Sequence, residues 1–118
     1  MKILALIIVA ILLIPIIFVI ITEYDSNTFN NYTELEESGL IHRGWVPKYI
    51  PKSSYNIKEH HRIDAPYIYV QFNFKENDIE SIKNNCSLIE KNIYKCKDSA
   101  GQLKLEIKEN NFAIIQSQ

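Results

Sequence analysis

The sequence predicts an α+β protein, with an N-terminal transmembrane helix followed by a small antiparallel sheet carrying one or two packed helices. Three observations lead there. Residues 3–21 are apolar throughout except for Pro15. Several later runs alternate apolar and polar residues, the period of a half-buried strand. Between those runs, apolar residues recur three or four apart, the spacing of a helix with one buried face. The 118 residues carry 13 Lys and Arg against 14 Asp and Glu, a formal net charge of -1. So even a balance lacks the basic face that nucleic acid requires, so no nucleic-acid partner is expected. Fewer than about 100 residues remain outside the apolar block, too few for a two-domain enzyme.

The apolar block comes first. As a helix, Ile3 to Thr22 would span about 30 Å, the thickness of a bilayer's hydrocarbon core. A cleaved secretory signal has a shorter apolar stretch, about 7–15 residues, ahead of small residues. Here Ile20-Ile21-Thr22-Glu23-Tyr24 offers no Ala-x-Ala-like site, and no Cys follows to hold a lipoprotein lipid. Residues 1–22 are therefore read as an uncleaved membrane anchor, against the competing reading of a cleaved signal. Pro15 removes one backbone hydrogen bond, which membrane helices tolerate. Lys2 precedes the block, and Glu23 and Asp25 follow it. Positive-inside bias then places the amino terminus in the cytoplasm, with a single pass through the inner membrane and a periplasmic or extracellular C-terminal domain.

Residues 23–30 are polar and read as a linker, leaving 31–118 as the extracytoplasmic domain. Asn31 to Leu40 predicts a short helix. Thr33-x-x-Glu36 fits a capping box, and Gly39 fits the helix end with Leu40 folding back behind it. Phe29, Tyr32 and Leu35 could pack on a sheet, while Glu34, Glu36 and Glu37 form a solvated face. Pro47 and Pro51 deny residues 43–54 both helix interior and central strand, so that stretch is expected to be extended. Its apolar area comes from Trp45, Val46, Tyr49 and Ile50.

From Ile57 the pattern alternates. Ile57, Glu59, His61 and Ile63 fall on one strand face, with Lys58, His60 and Arg62 on the other. Asp64-Ala65-Pro66 signals a turn into the clearest strand, Tyr67 to Phe74, which lines up Ile68, Val70, Phe72 and Phe74. These two runs predict an antiparallel hairpin. Asn77 or Asp78 can cap a helix with Ile79, Ile82 and Cys86 on one face. Cys86 would leave that helix to meet Cys96 in a strand from Ile93 to Lys97. Asp98-Ser99-Ala100-Gly101 turns the chain into a strand from Gln102 to Glu109, with Leu103, Leu105 and Ile107 on one side. Asn110-Asn111 turns it again into a last strand, Phe112 to Gln116.

Cys86 and Cys96 are the only cysteines. An even pair on an exported small domain reads as a disulfide, against the alternative of two buried thiols. Closing a loop of about 11 residues would stabilise the fold by about 2–3 kcal/mol.

The run Ser38-Gly39-Leu40-Ile41-x-Arg43-Gly44-Trp45-Val46-Pro47-x-x-Ile50-Pro51-x-Ser53-Ser54-x-Asn56-Ile57-x-Glu59-x-His61 resembles a segment of small bacterial proteins with an N-terminal membrane or export signal. In those proteins a strand ending in Phe-x-Phe follows, matched here by Phe72-x-Phe74, and then a Tyr-x-Cys pair, matched by Tyr94-x-Cys96. The similarity covers residues 29–107. It implies a fold and a location, and it carries no activity. Those relatives often place an acidic residue after the position of His60 or His61, where this chain has Arg62.

Candidates for chemistry are few. His42, His60, His61 and Glu59 are the groups able to serve a metal or acid–base site. Adjacent strand residues point to opposite faces, so His60 and His61 should not share an ion. Glu59 and His61 can face the same way, joined by His42, which makes a metal-dependent hydrolase the alternative reading. Ser53 and Ser54 have no Gly-x-Ser-x-Gly context, and Cys86 and Cys96 lack the Cys-x-x-Cys spacing of a redox pair. Aromatic residues beside prolines offer contact area at low entropic cost, so Trp45, Tyr49, Tyr67 and Tyr69 are the candidate binding surface. The reading against it puts Trp45 in the core. The expectation is a non-enzymatic protein with no cofactor and no resident metal. It would be held by the membrane through residues 3–22 and would bind a protein partner in the cell envelope, as an accessory or by neutralising a toxin delivered there.

Overall fold

Apolar side chains at every second position leave one face of a strand in need of cover, and five strands here share one such face. A computed structural model describes residues 1–65, 67–98 and 101–118, with their side chains apart from those of residues 19–24. The chain runs α1 (Lys2–Glu23), β1 (Tyr24–Asn31), α2 (Tyr32–Glu37), β2 (Tyr55–Arg62), β3 (Ile68–Asn73), a 3-10 turn (Glu76–Asp78), α3 (Glu80–Asn85), β4 (Cys86–Glu90), β5 (Ile93–Asp98), β6 (Gly101–Lys108), a second 3-10 turn (Glu109–Asn111) and β7 (Phe112–Ser117). The strands form one sheet in the order β1-β2-β3-β7-β6-β5-β4, and each neighbouring pair is antiparallel. This is the expected α+β class with more strands than the sequence suggested.

The covered face carries Ile57 of β2, Ile68, Val70 and Phe72 of β3, Ala113 and Ile115 of β7, Leu103 and Leu105 of β6, and Tyr94 and Cys96 of β5, all buried. Leu35 of α2, Ile82 of α3, and Leu40, Val46, Tyr49 and Ile50 of the connection between α2 and β2 complete the same apolar cluster. Cys86 and Cys96 sit directly opposite each other on β4 and β5, and their sulfurs are joined. The bond therefore staples the short outermost strand to the rest of the sheet.

Several elements differ from the sequence expectation. The segment expected to be a linker, 23–30, lies almost wholly within β1, which pairs with β2 from Tyr24↔Arg62 to Asn31↔Tyr55. Asn and Asp are poor strand formers, and pairing along β2 overrides that preference. The capping box sits two residues earlier than Thr33 and Glu36. The Asn31 side chain accepts from Glu34 N at 3.0 Å, and the Glu34 carboxylate accepts from Asn30 N at 2.8 Å. Gly39 does end the helix, with φ +80.

Residues 43–54 are a series of turns and not an extended segment, with Ser54 N and Oγ both donating to Pro51 O. Asp78 does not cap α3; its carboxylate accepts from Ser53 N at 3.0 Å and ties that connection down. Ile63 lies beyond the end of β2 and is 66% exposed, so it leaves the buried row. The turns expected at Asp64-Ala65-Pro66 and Asp98-Ser99-Ala100-Gly101 lie partly outside the described residues. Asn110 and Asn111 make their turn with φ 60 and 53.

Among the described residues no helix is long and apolar enough to cross a membrane. Between Ile3 and Phe18 the large apolar side chains are 48–75% exposed.

The shifted cap has a measurable consequence. Asn31→Ala should lower stability by about 1 kcal/mol, the usual cost of losing an N-cap. Thr33→Ala should have a smaller effect. Chemical denaturation of the two variants in detergent checks the order, and a larger loss at Thr33 would restore the original box.

Candidate functional site

Period two on β2 carries more than apolar residues inward. Glu59 and His61 follow Ile57 on the covered face, at 0% and 3% exposure. A carboxylate or imidazolium in an apolar core is costly unless each polar atom is paired. Here each is. His61 Nδ1 donates to Glu59 Oε1 at 2.5 Å, and Asn27 Nδ2 donates to Glu59 Oε2 at 3.0 Å. On the other side of the ring, His61 Nε2 lies 3.8 Å from Asp25 Oδ2. Trp45 closes the top, its ring stacked on the imidazole at 4.1 Å between centroids with an interplanar angle of 18°.

Three segments far apart in sequence make this cluster. β1 supplies Asp25 and Asn27, which the register sets opposite His61 and Glu59. The turn after Gly39 supplies Trp45, whose backbone N–H donates to Leu40 O at 3.0 Å. Glu59 and His61 do share a face, as their spacing led us to expect. Sequence reasoning placed Asp25 and Asn27 in a linker, and nothing in that Asn-rich stretch marks it as a strand.

His42 is exposed. Among the described residues no three His, Cys, Asp or Glu side chains are grouped to hold a metal ion. The hydrolase set of Glu59, His61 and His42 is therefore not assembled. His60 points to the opposite face, where it shares a hydrogen bond with Ser26 Oγ at 2.6 Å and tilts against Tyr69 at 5.8 Å. Enclosed and stacked, the Glu59–His61 pair has the geometry of a clamp joining β1, β2 and the Trp45 turn.

The four aromatic candidates do not share one surface. Trp45 is half-buried over His61, Tyr69 is half-buried on the uncovered sheet face, and Tyr67 is exposed at the end of the β2–β3 hairpin. Tyr49 is corrected outright: it is only 7% exposed and belongs to the core, because the turns after Pro47 fold it inward. Among the described residues its buried hydroxyl has no hydrogen-bond partner. Burial, with the Asp98 charge adding to it, pushes the Tyr49 phenol well above the ordinary tyrosine range. Beside Tyr67, the Arg62 guanidinium forks onto Asp64 at 3.0 and 2.7 Å and holds that exposed carboxyl below its usual range.

Two measurements test these assignments. His61→Ala leaves Glu59 buried without its main partner, and should cost about 3–5 kcal/mol in denaturant unfolding. The double change Glu59→Leu/His61→Phe should cost less than the sum of the single changes, since it removes both polar groups together. Tyr49→Phe removes an unpaired buried hydroxyl and should be neutral or stabilising by about 1 kcal/mol. Holding the phenol neutral favours folding fully below pH 10. That favour is lost as pH rises past about 10, where the unfolded chain ionises and the folded one resists. Circular dichroism against pH should therefore show Tyr49→Phe losing less stability in alkali than the parent.

The family model of the YbbD head domain matches residues 23–73. That stretch takes in β1, α2, the turns, β2 and β3, and with them Asp25, Asn27, Trp45, Glu59 and His61. No curated protein and no solved structure matches the chain. Over less than half its length, then, the chain is similar to the YbbD head domain, and the whole clamp lies within that part.

Proposed function

We propose that the protein is a single-pass, membrane-anchored binding module, without catalytic activity, that presents its disulfide-closed domain outside the cytoplasm to a protein partner in the envelope. The observation that carries this reading is the apolar surface of α1, exposed from Ile3 to Phe18, leading directly into a sheet stapled by a disulfide. Contiguous apolar area of this extent marks a membrane or protein contact. The whole of α1, Lys2–Glu23, is about 33 Å long as a helix, against a hydrocarbon core of about 30 Å. A disulfide fits an oxidising compartment. The Gly44-Trp45-x-Pro47 core supports kinship with the small anchored or exported bacterial proteins noted above.

The uncovered face of the sheet is the surface such a module would offer. Tyr69, Phe112 and Ile114 lie half-buried there on the adjacent strands β3 and β7. Lys58, Lys95, Lys104 and Lys108 share that face with Glu106. Lys95 stands directly opposite Lys104, and like charges in that position cost folding energy. An acidic partner surface would relieve it.

Photo-crosslinking in intact membranes tests the reading. A photoreactive residue at Ile114 should give a discrete protein adduct that is lost in Lys95→Glu/Lys104→Glu, while one at Glu37 on α2 should give none. No adduct from Ile114, or the same adducts from both positions, would remove the proposed surface.

A further inference from the structure

We infer that the end of the β2–β3 hairpin is a second membrane contact, where Ile63 and Tyr67 enter the lipid headgroup region beside the foot of α1. The inference rests on the membrane reading of α1 and adds to it a rule for how the domain stands on the bilayer.

Strand register carries the argument. Tyr24, the residue after α1, is paired with Arg62, the last residue of β2. Ile63 therefore follows the residue that sits beside the helix end, and the chain turns there before re-entering the sheet at Ile68. Chain continuity brings this hairpin end to the same level as the end of α1.

The side chains suit that level. Ile63 is 66% exposed and Tyr67 is 39% exposed. The other large apolar side chains exposed on the domain, among the described residues, are Tyr55 at the far end of β2 and Leu88 and Ile89 on the outermost strand β4. An aliphatic residue beside a tyrosine is the pairing found where protein meets the lipid interface, with the ring at headgroup depth and its hydroxyl in water. Arg62 adds a cation whose charge is matched locally by Asp64, so the hairpin brings no net repulsion towards anionic lipid. Lys97, near the end of β5 on the same side of the sheet, adds an exposed positive charge at the level of the β5–β6 turn. Such a charge is attracted to anionic headgroups.

Two footholds would do what one helix cannot. A single helix leaves the domain free to tilt about its end, whereas a second contact across β2 fixes the plane of the sheet. The uncovered face then stands sideways to the membrane, open to a neighbouring protein.

The test uses the full chain in vesicles of phosphatidylethanolamine and phosphatidylglycerol, with some lipids brominated at defined acyl depths. Ile63→Trp should show emission quenched most by bromine near the headgroup end, beyond the quenching of Trp45 in the parent. Phe18→Trp should be quenched by bromine deeper in the bilayer. If Phe18→Trp is quenched and Ile63→Trp is not, the hairpin contact is overturned and the anchor stands. If neither is quenched, both fail. Because a new indole can itself seek the interface, a second variant removes apolar character instead. Ile63→Asp/Tyr67→Asp should lower the fluorescence anisotropy of Trp45 as the domain gains freedom, and unchanged anisotropy would count against the contact.

Discussion

The fold depends on a polar cluster placed where an apolar one would be ordinary. Glu59 is fully enclosed on β2, and an enclosed carboxylate has to be satisfied from several directions at once. His61 meets one oxygen from two residues along the same strand, and Asn27 meets the other from β1. Those demands fix the register of β1 on β2, because moving β1 by one residue would turn Asn27 and Asp25 to the uncovered face. The stacked Trp45 then sets where the connection from α2 crosses the sheet. A buried polar pair is weak evidence of stability, but here it specifies pairing for a strand with little apolar content of its own.

This also explains which parts could be read from the sequence. β2, β3 and β6 alternate, so their faces were legible from Ile57, Ile68, Val70, Phe72, Leu103 and Leu105. β1 was not, because Asp25, Ser26, Asn27 and Asn30 are residues of turns and linkers by local preference. What makes them a strand is a partner about 30 residues away, and no local pattern carries that. β4 was missed for a similar reason: it has five residues, no alternation, and a place in the sheet set by the Cys86–Cys96 bond and by pairing with β5.

The clamp divides along the same line. The shared face of Glu59 and His61 follows from their spacing, whereas Asp25, Asn27 and Trp45 reach it only through tertiary packing. Tyr49 shows the converse. Proline neighbours made it look like a surface aromatic, yet turns beginning at Pro47 and Pro51 curl the segment onto the sheet and carry Tyr49 inward with Val46 and Ile50.

An open sheet has two edges, and each is a template for unwanted pairing. At one edge β1 is polar and runs straight on from α1. At the other, β4 is short, irregular in register between Leu88 and Glu90, and held back by its disulfide, yet it exposes Leu88 and Ile89. Two copies meeting there in antiparallel fashion would be related by a twofold axis normal to the sheet. That operation reverses every strand, including β1 and the helix leading into it. Two chains anchored through α1 in one bilayer with the same orientation cannot satisfy it. Membrane attachment of the proposed kind would thus guard the exposed edge by geometry, leaving antiparallel pairing at β4 to a partner free of that constraint.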